Sequence, residues 1–127
     1  MKTSNIIISV LLIAGIVFAV YVLLSSNSSL PAYAARHPLI KEAYTFAAET
    51  PEGLNGVNCY CGCMQHPHGG RIHERGLLDC FKNKDDAFDR HASECDMCIK
   101  DALEAKGMLA NGKSMEEIKS TIDSKYK

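Results

Sequence analysis

In VNCYCGCMQHPHGG, Val57 to Gly70, three cysteines alternate with single residues, and two histidines follow within five positions of the last. The whole cysteine set, Cys59, Cys61, Cys63, Cys80, Cys95 and Cys98, falls within forty residues. A folded part of fewer than about 100 residues has a thin core and often needs a covalent or metal staple. These six side chains are therefore the strongest constraint on what the chain can become. A bridge between Cys59 and Cys61, or Cys61 and Cys63, closes a very small ring and is strained and easily reduced. Pairing of this trio with Cys80, Cys95 and Cys98 would give three disulfides and a stapled domain, as an oxidising compartment favours.

The same spacing suits a metal. In an extended strand alternate side chains stand about 7 Å apart, whereas zinc–sulfur bonds of about 2.3 Å need sulfurs about 4 Å apart. The segment must curl, and Gly62 permits it. Curled, it offers several soft thiolates, which select copper(I), zinc or iron–sulfur over magnesium or calcium. In HASECDMC, His91, Cys95 and Cys98 stand at i, i+4 and i+7, one face of a helix. The expected metal ligands are Cys59, Cys61, Cys63, Cys80, His91, Cys95 and Cys98. His66, His68 and His73, on a glycine-rich loop, form a second rank. Met64 and Met97 read as packing residues, and His37 as a surface residue. No cysteine pair is followed by the histidine that covalent haem attachment requires.

The front of the chain carries no charge between Lys2 and Arg36. Ile6 to Leu24, IIISVLLIAGIVFAVYVLL, has about the 20 apolar residues that cross a bilayer. We expect a single-pass anchor over residues 1–24, with the domain outside the cytoplasm. The alternative is a cleaved signal ending at the small-x-small Ala32-Tyr33-Ala34. Either way the rest of the chain is exported. Residues 25–35, with SSNSSLP, read as a linker, and residues 36–127 as the Cys-rich domain.

Within that domain Pro38 opens a helix carrying Leu39, Ile40, Ala43, Tyr44 and Ala47 at helical period, ended by Pro51 and Gly53. Glu52 to Gly76 reads as irregular loop, and LLDCF is ambiguous. Asn83 to Gly112 looks helical with a break near Ser93, stopping at Asn111-Gly112. Ser114 and Glu117 then form the capping-box pattern, with Met115, Ile118, Ile122 and Tyr126 at helical spacing. The expected fold is mainly α: a small helical domain with a long Cys/His-rich loop, preceded by one transmembrane helix. The domain's charge is about −2, which leaves no basic footprint for nucleic acid.

NCYCGC, LDCF and HASECDMC together resemble the bacterial PCYCGC-motif (lipo)proteins, small extracytoplasmic proteins. The likeness spans roughly Leu39 to Tyr126, with Asn58 at the motif's proline. No lipobox cysteine follows the apolar segment. The resemblance implies an extracytoplasmic location and a thiolate site. A second, local resemblance links CDMCIKDALEAKGMLANGKSMEEIKSTIDSKY to the thiol-reductase subunit of cytochrome c maturation, and implies redox roles for Cys95 and Cys98. Two functions follow. The first is a binding module holding copper or zinc at the membrane surface, served by a metal-delivery partner. The second is a thiol-disulfide oxidoreductase in which Cys95 attacks and Cys98 resolves, with a redox partner. No Ser-His-Asp set or phosphate loop points to a hydrolase or a nucleotide enzyme.

Overall fold

The structure, a computed structural model, describes residues 12–20, 30–67 and 69–127. Its helices are α1 (residues 12–20), α2 (Ala32–Ala35), α3 (Pro38–Glu49), α4 (Asp96–Ala110) and α5 (Met115–Ser124). Short 3₁₀ turns occupy Pro51–Gly53, Gly76–Cys80 and His91–Glu94. Among the described residues there is no strand; Lys82 and Phe88 form an isolated antiparallel bridge. The domain is mainly helical, as expected. Among the described residues no helix is long and apolar enough to cross a membrane. Much of the Ile6–Leu24 run lies outside the described residues, and the described part, α1, exposes Leu12, Ile13, Ile16, Val17 and Phe18.

Helix α3 begins where the sequence places it. His37 Nδ1 caps it by accepting from the Leu39 amide, and Pro38 sits in the first turn, where no amide donor is missed. Its inward stripe is Ala43, Tyr44, Phe46 and Ala47; Leu39 is half exposed instead. Tyr44 anchors the core. Its ring meets Phe81 edge-on at 5.0 Å, its hydroxyl donates to the Asp89 carbonyl at 2.6 Å, and it accepts from the Ser93 amide at 3.0 Å. Burial pushes the Tyr44 hydroxyl pKa up. The chain ahead of α3 joins the same core: Ala34 is fully buried and Tyr33 donates to the Phe88 carbonyl at 3.1 Å.

α4 packs on α3 and on α5. Gly112, with φ +75°, ends the α4 turn, as Asn111-Gly112 predicts. Ser114 and Glu117 form the capping box in full at the start of α5, which buries Ile118 and Ile122.

The stretch before α4 departs from expectation. Residues 83–90 form turns, not a helix. Asn83 Oδ1 accepts from the Asp85 and Ala87 amides at 2.9 and 3.0 Å, and Asp86 takes a left-handed φ of 64°. Side-chain bonds of this kind offer the backbone an alternative to the helical ladder. The α4 helix therefore starts only at Asp96, with Cys95 as its N-cap.

Two backbone contacts close the long loop. The Gly56 amide donates to Arg75 O at 3.0 Å, and the Leu77 amide to Val57 O at 2.8 Å. They fix the start of the cysteine motif against the Gly76–Cys80 turn. Gly76 makes this possible: its φ is +67°, and a Cβ there would stand 2.1 Å from Val57 O.

Candidate metal centre

The cysteine motif folds as a tight turn rather than a strand. Gly62 takes a φ of +97°, and the Gln65 and His66 amides bond back to Gly62 O. The turn points the Cys59, Cys61 and Cys63 sulfurs inward. Its outer side is held by α5: Asp123 Oδ1 accepts from Asn58 Nδ2 and from Tyr60 OH, both at 2.9 Å, and Tyr60 stacks on Tyr126 at 4.6 Å. Tyr126 OH and Lys125 in turn bond the buried carboxylate of Asp101 on α4. Nothing in the cysteine spacing announced this clamp; Asp123 and Tyr126 read only as parts of an amphipathic helix.

The other donors arrive from two directions. The Gly76–Cys80 turn carries Cys80, fully buried. His91 stands on the His91–Glu94 turn, its amide bonded to Asp89 Oδ1 at 2.8 Å. Cys98 lies in the first turn of α4, fully buried. His91, Cys95 and Cys98 thus do not share one α-helical face, because the chain turns at Cys95, whose φ of −126° is extended. His91 and Cys98 still reach the same point, carried there by tertiary folding.

Around that point the sulfurs are close. Cys59 Sγ is 3.0 Å from Cys61, 3.4 Å from Cys80, 3.6 Å from Cys98 and 3.9 Å from Cys63. His91 Nε2 is 3.2 Å from Cys63 Sγ and 3.5 Å from Cys61 Sγ. Two sets of four donors emerge, each with all atoms within 4.8 Å of one another: Cys59, Cys61, Cys63 and Cys80; and Cys61, Cys80, His91 and Cys98. These separations approach those that bonds of about 2.3 Å to a shared ion impose. Cys95 belongs to neither set. It lies half-buried beside the cluster, lining a cavity with Cys61, Cys63 and His91.

The redox state differs from both simple expectations. Cys61 and Cys63 are joined as a disulfide, their Cα atoms 5.9 Å apart, while Cys59, Cys80, Cys95 and Cys98 are free thiols. Three bridges are not formed. The short spacing within CYCGC disfavours a bridge there; the turn at Gly62 brings the two Cα atoms into the ordinary range for one.

The histidines of the glycine-rich loop separate. His73 is buried, with Nδ1 3.4 Å from Cys80 Sγ and its ring edge-on to His91 at 5.2 Å. Burial, reinforced by Arg71, lowers its pKa, so it sits beside the sulfurs as a neutral ring. His66 is exposed and lines a cavity of 340 Å³ shared with Cys61, Cys63, His91 and Cys95. His68 lies outside the described residues. Met64, read as packing, has a polar role as well: its sulfur accepts from the Cys59 amide at 3.1 Å.

Hydrogen bonds from Cys80 and Cys98 hold Cys59 well below the usual thiol range, and the same bonds hold Cys80 and Cys98 above it. Cys95 is lowered to about 6, first by its bond with Cys98 and further by the backbone amides of the first turn of α4.

No curated protein and no solved structure matches the chain. Over residues 20–127 it matches the family described as "Protein of unknown function with PCYCGC motif", so the chain belongs to that family.

Proposed function

We propose that the domain is a soft-metal binding module, held at the outer face of the cell membrane by its N-terminal apolar segment. The observation that carries this reading is the convergence of five cysteine sulfurs and one imidazole, from separate segments, on one largely buried cluster. As thiolates these sulfurs would repel one another at such separations unless a soft cation neutralised them. The two donor sets share Cys61 and Cys80, an arrangement suited to two ions bridged by two thiolates or to a small cluster. Thiolates with one imidazole favour copper(I) or zinc. We favour copper(I), the softer ion, because sulfur dominates the donor sets. The anchor is supported by the uncharged run from Ile6 to Leu24 and by the helical, apolar-faced residues 12–20.

The test is elemental analysis and a thiol count on protein purified without oxygen. The expected result is bound copper or zinc with Cys59, Cys61, Cys63, Cys80 and Cys98 protected from alkylation. Metal-free protein with all its cysteines oxidised would overturn the reading.

A second reading has one observation in its favour. Cys95 is the N-cap of a helix with its thiol lowered to about 6, and Cys98 follows at the spacing of a resolving thiol. With the local resemblance to a thiol reductase, this supports disulfide exchange. Turnover of a model disulfide that is lost in Cys95→Ser would favour it over metal binding.

A further inference from the structure

Cys95 is left over once the two donor sets are drawn, and its place is specific. Cys80 and Cys98 are fully buried, so they offer an incoming ion no direct approach. The 340 Å³ cavity reaches the cluster at Cys61, Cys63 and His91, and its other soft groups are His66 and Cys95. Cys95 shares the cavity with Cys61 and His91, members of the second set. A continuous series of soft donors thus runs from the surface inward. A second cavity, of 400 Å³, touches Cys59 and Met64, but there the Met64 sulfur already accepts from the Cys59 amide.

We infer that the His66–Cys95 cavity is the transfer mouth of the cluster, where a copper(I) carrier presenting its own thiolates docks and Cys95 takes the ion in transit. This rests on the metal-binding reading above. The step is ligand exchange. Outward, the Cys95 sulfur, as thiolate, bonds the copper ion as the bond to Cys61, which lines the same cavity, breaks, and the released Cys61 thiolate takes a proton from water. The carrier's thiolate then displaces Cys95. Copper stays copper(I), and no electrons move.

The experiment uses the full chain, loaded with copper(I) without oxygen, and follows release to bathocuproine disulfonate by stopped flow. Serine is a preferred N-cap residue, so Cys95→Ser preserves the start of α4. Cys95→Ser should hold as much copper as the parent chain and release it more slowly, by about tenfold or more. His66→Ala should slow release in the same direction, and Met64→Leu should leave it unchanged. Equal release rates in the parent and Cys95→Ser would overturn the mouth while leaving the metal site standing. So would loss of copper from Cys95→Ser, which would make Cys95 a resident ligand. A parent chain that takes up no copper would overturn the metal-binding reading itself, and the mouth with it.

Discussion

Gly76→Ala should damage the site without touching a sulfur. Gly76 lies at φ +67°, and a methyl group there would meet Val57 O at 2.1 Å, inside any real carbon–oxygen contact. The left-handed backbone alone costs an alanine about 1–2 kcal/mol. The clash must also push Val57 away. That breaks the Leu77 amide's bond to Val57 O and strains that of Gly56 to Arg75 O. Each is worth about 0.5–1.5 kcal/mol net. Leu77 and Val57 are fully buried, so water does not readily replace what is lost. The total is roughly 2–5 kcal/mol, a shift on the order of 10 °C or more in Tm for a domain of this size. Because Val57 and Leu77 tie Cys59 to the turn bearing Cys80, metal affinity should fall as well. Gly70→Ala is the control: its φ is +82°, but nothing lies within 4 Å of the added carbon. It should lose only the backbone share, about 1–2 kcal/mol. Thermal melts and competitive metal titrations on the two variants check this. If both lose the same stability and keep the same affinity, the Val57–Gly76 contact does not hold the site together.

His73→Ala should lower metal affinity by about 10–100-fold, as loss of a group supporting a ligand commonly does, because its ring lies against Cys80; an unchanged Kd in competition titration would make it mere packing. Oxidation at Cys61–Cys63 removes two donors from one set and one from the other, so fully reduced protein should bind more metal than protein keeping that bridge, read by mass spectrometry of the loaded forms. Glu117, held at about 2 by the Ser114 amide and then by Lys113, against an ordinary 4.5, supports α5 above its unfolded pKa. That support should fade as pH falls from about 4.5 toward 2, and the Glu117 carboxyl titration, followed by NMR, should show a midpoint well below that of an exposed glutamate.

The parts of the fold legible in the sequence were those written locally. Pro38, the Ser114–Glu117 capping box and the Gly112 stop each act within one turn of chain, and each stands where the pattern puts it. The 83–95 segment departs from its helical pattern because an Asn83 side chain captures the backbone first. Of the site, the residue types were legible and the geometry was not. Cys59, Cys61, Cys63, Cys80, His91 and Cys98 come together in space, but His91 and Cys98 do so through a break in the chain rather than along one helix. The burial of His73, the bridge between Cys61 and Cys63, and the Asp123 clamp all depend on contacts between distant segments, which spacing alone does not encode.

X-ray absorption at the metal edge, on the full chain loaded without oxygen, tests the central claim most directly. The account predicts a first shell dominated by sulfur, at about 2.3 Å if the metal is zinc, with a minor nitrogen contribution that disappears in His91→Ala and a sulfur contribution that falls in Cys59→Ser. A first shell of nitrogen and oxygen alone, unchanged by Cys59→Ser, would contradict it.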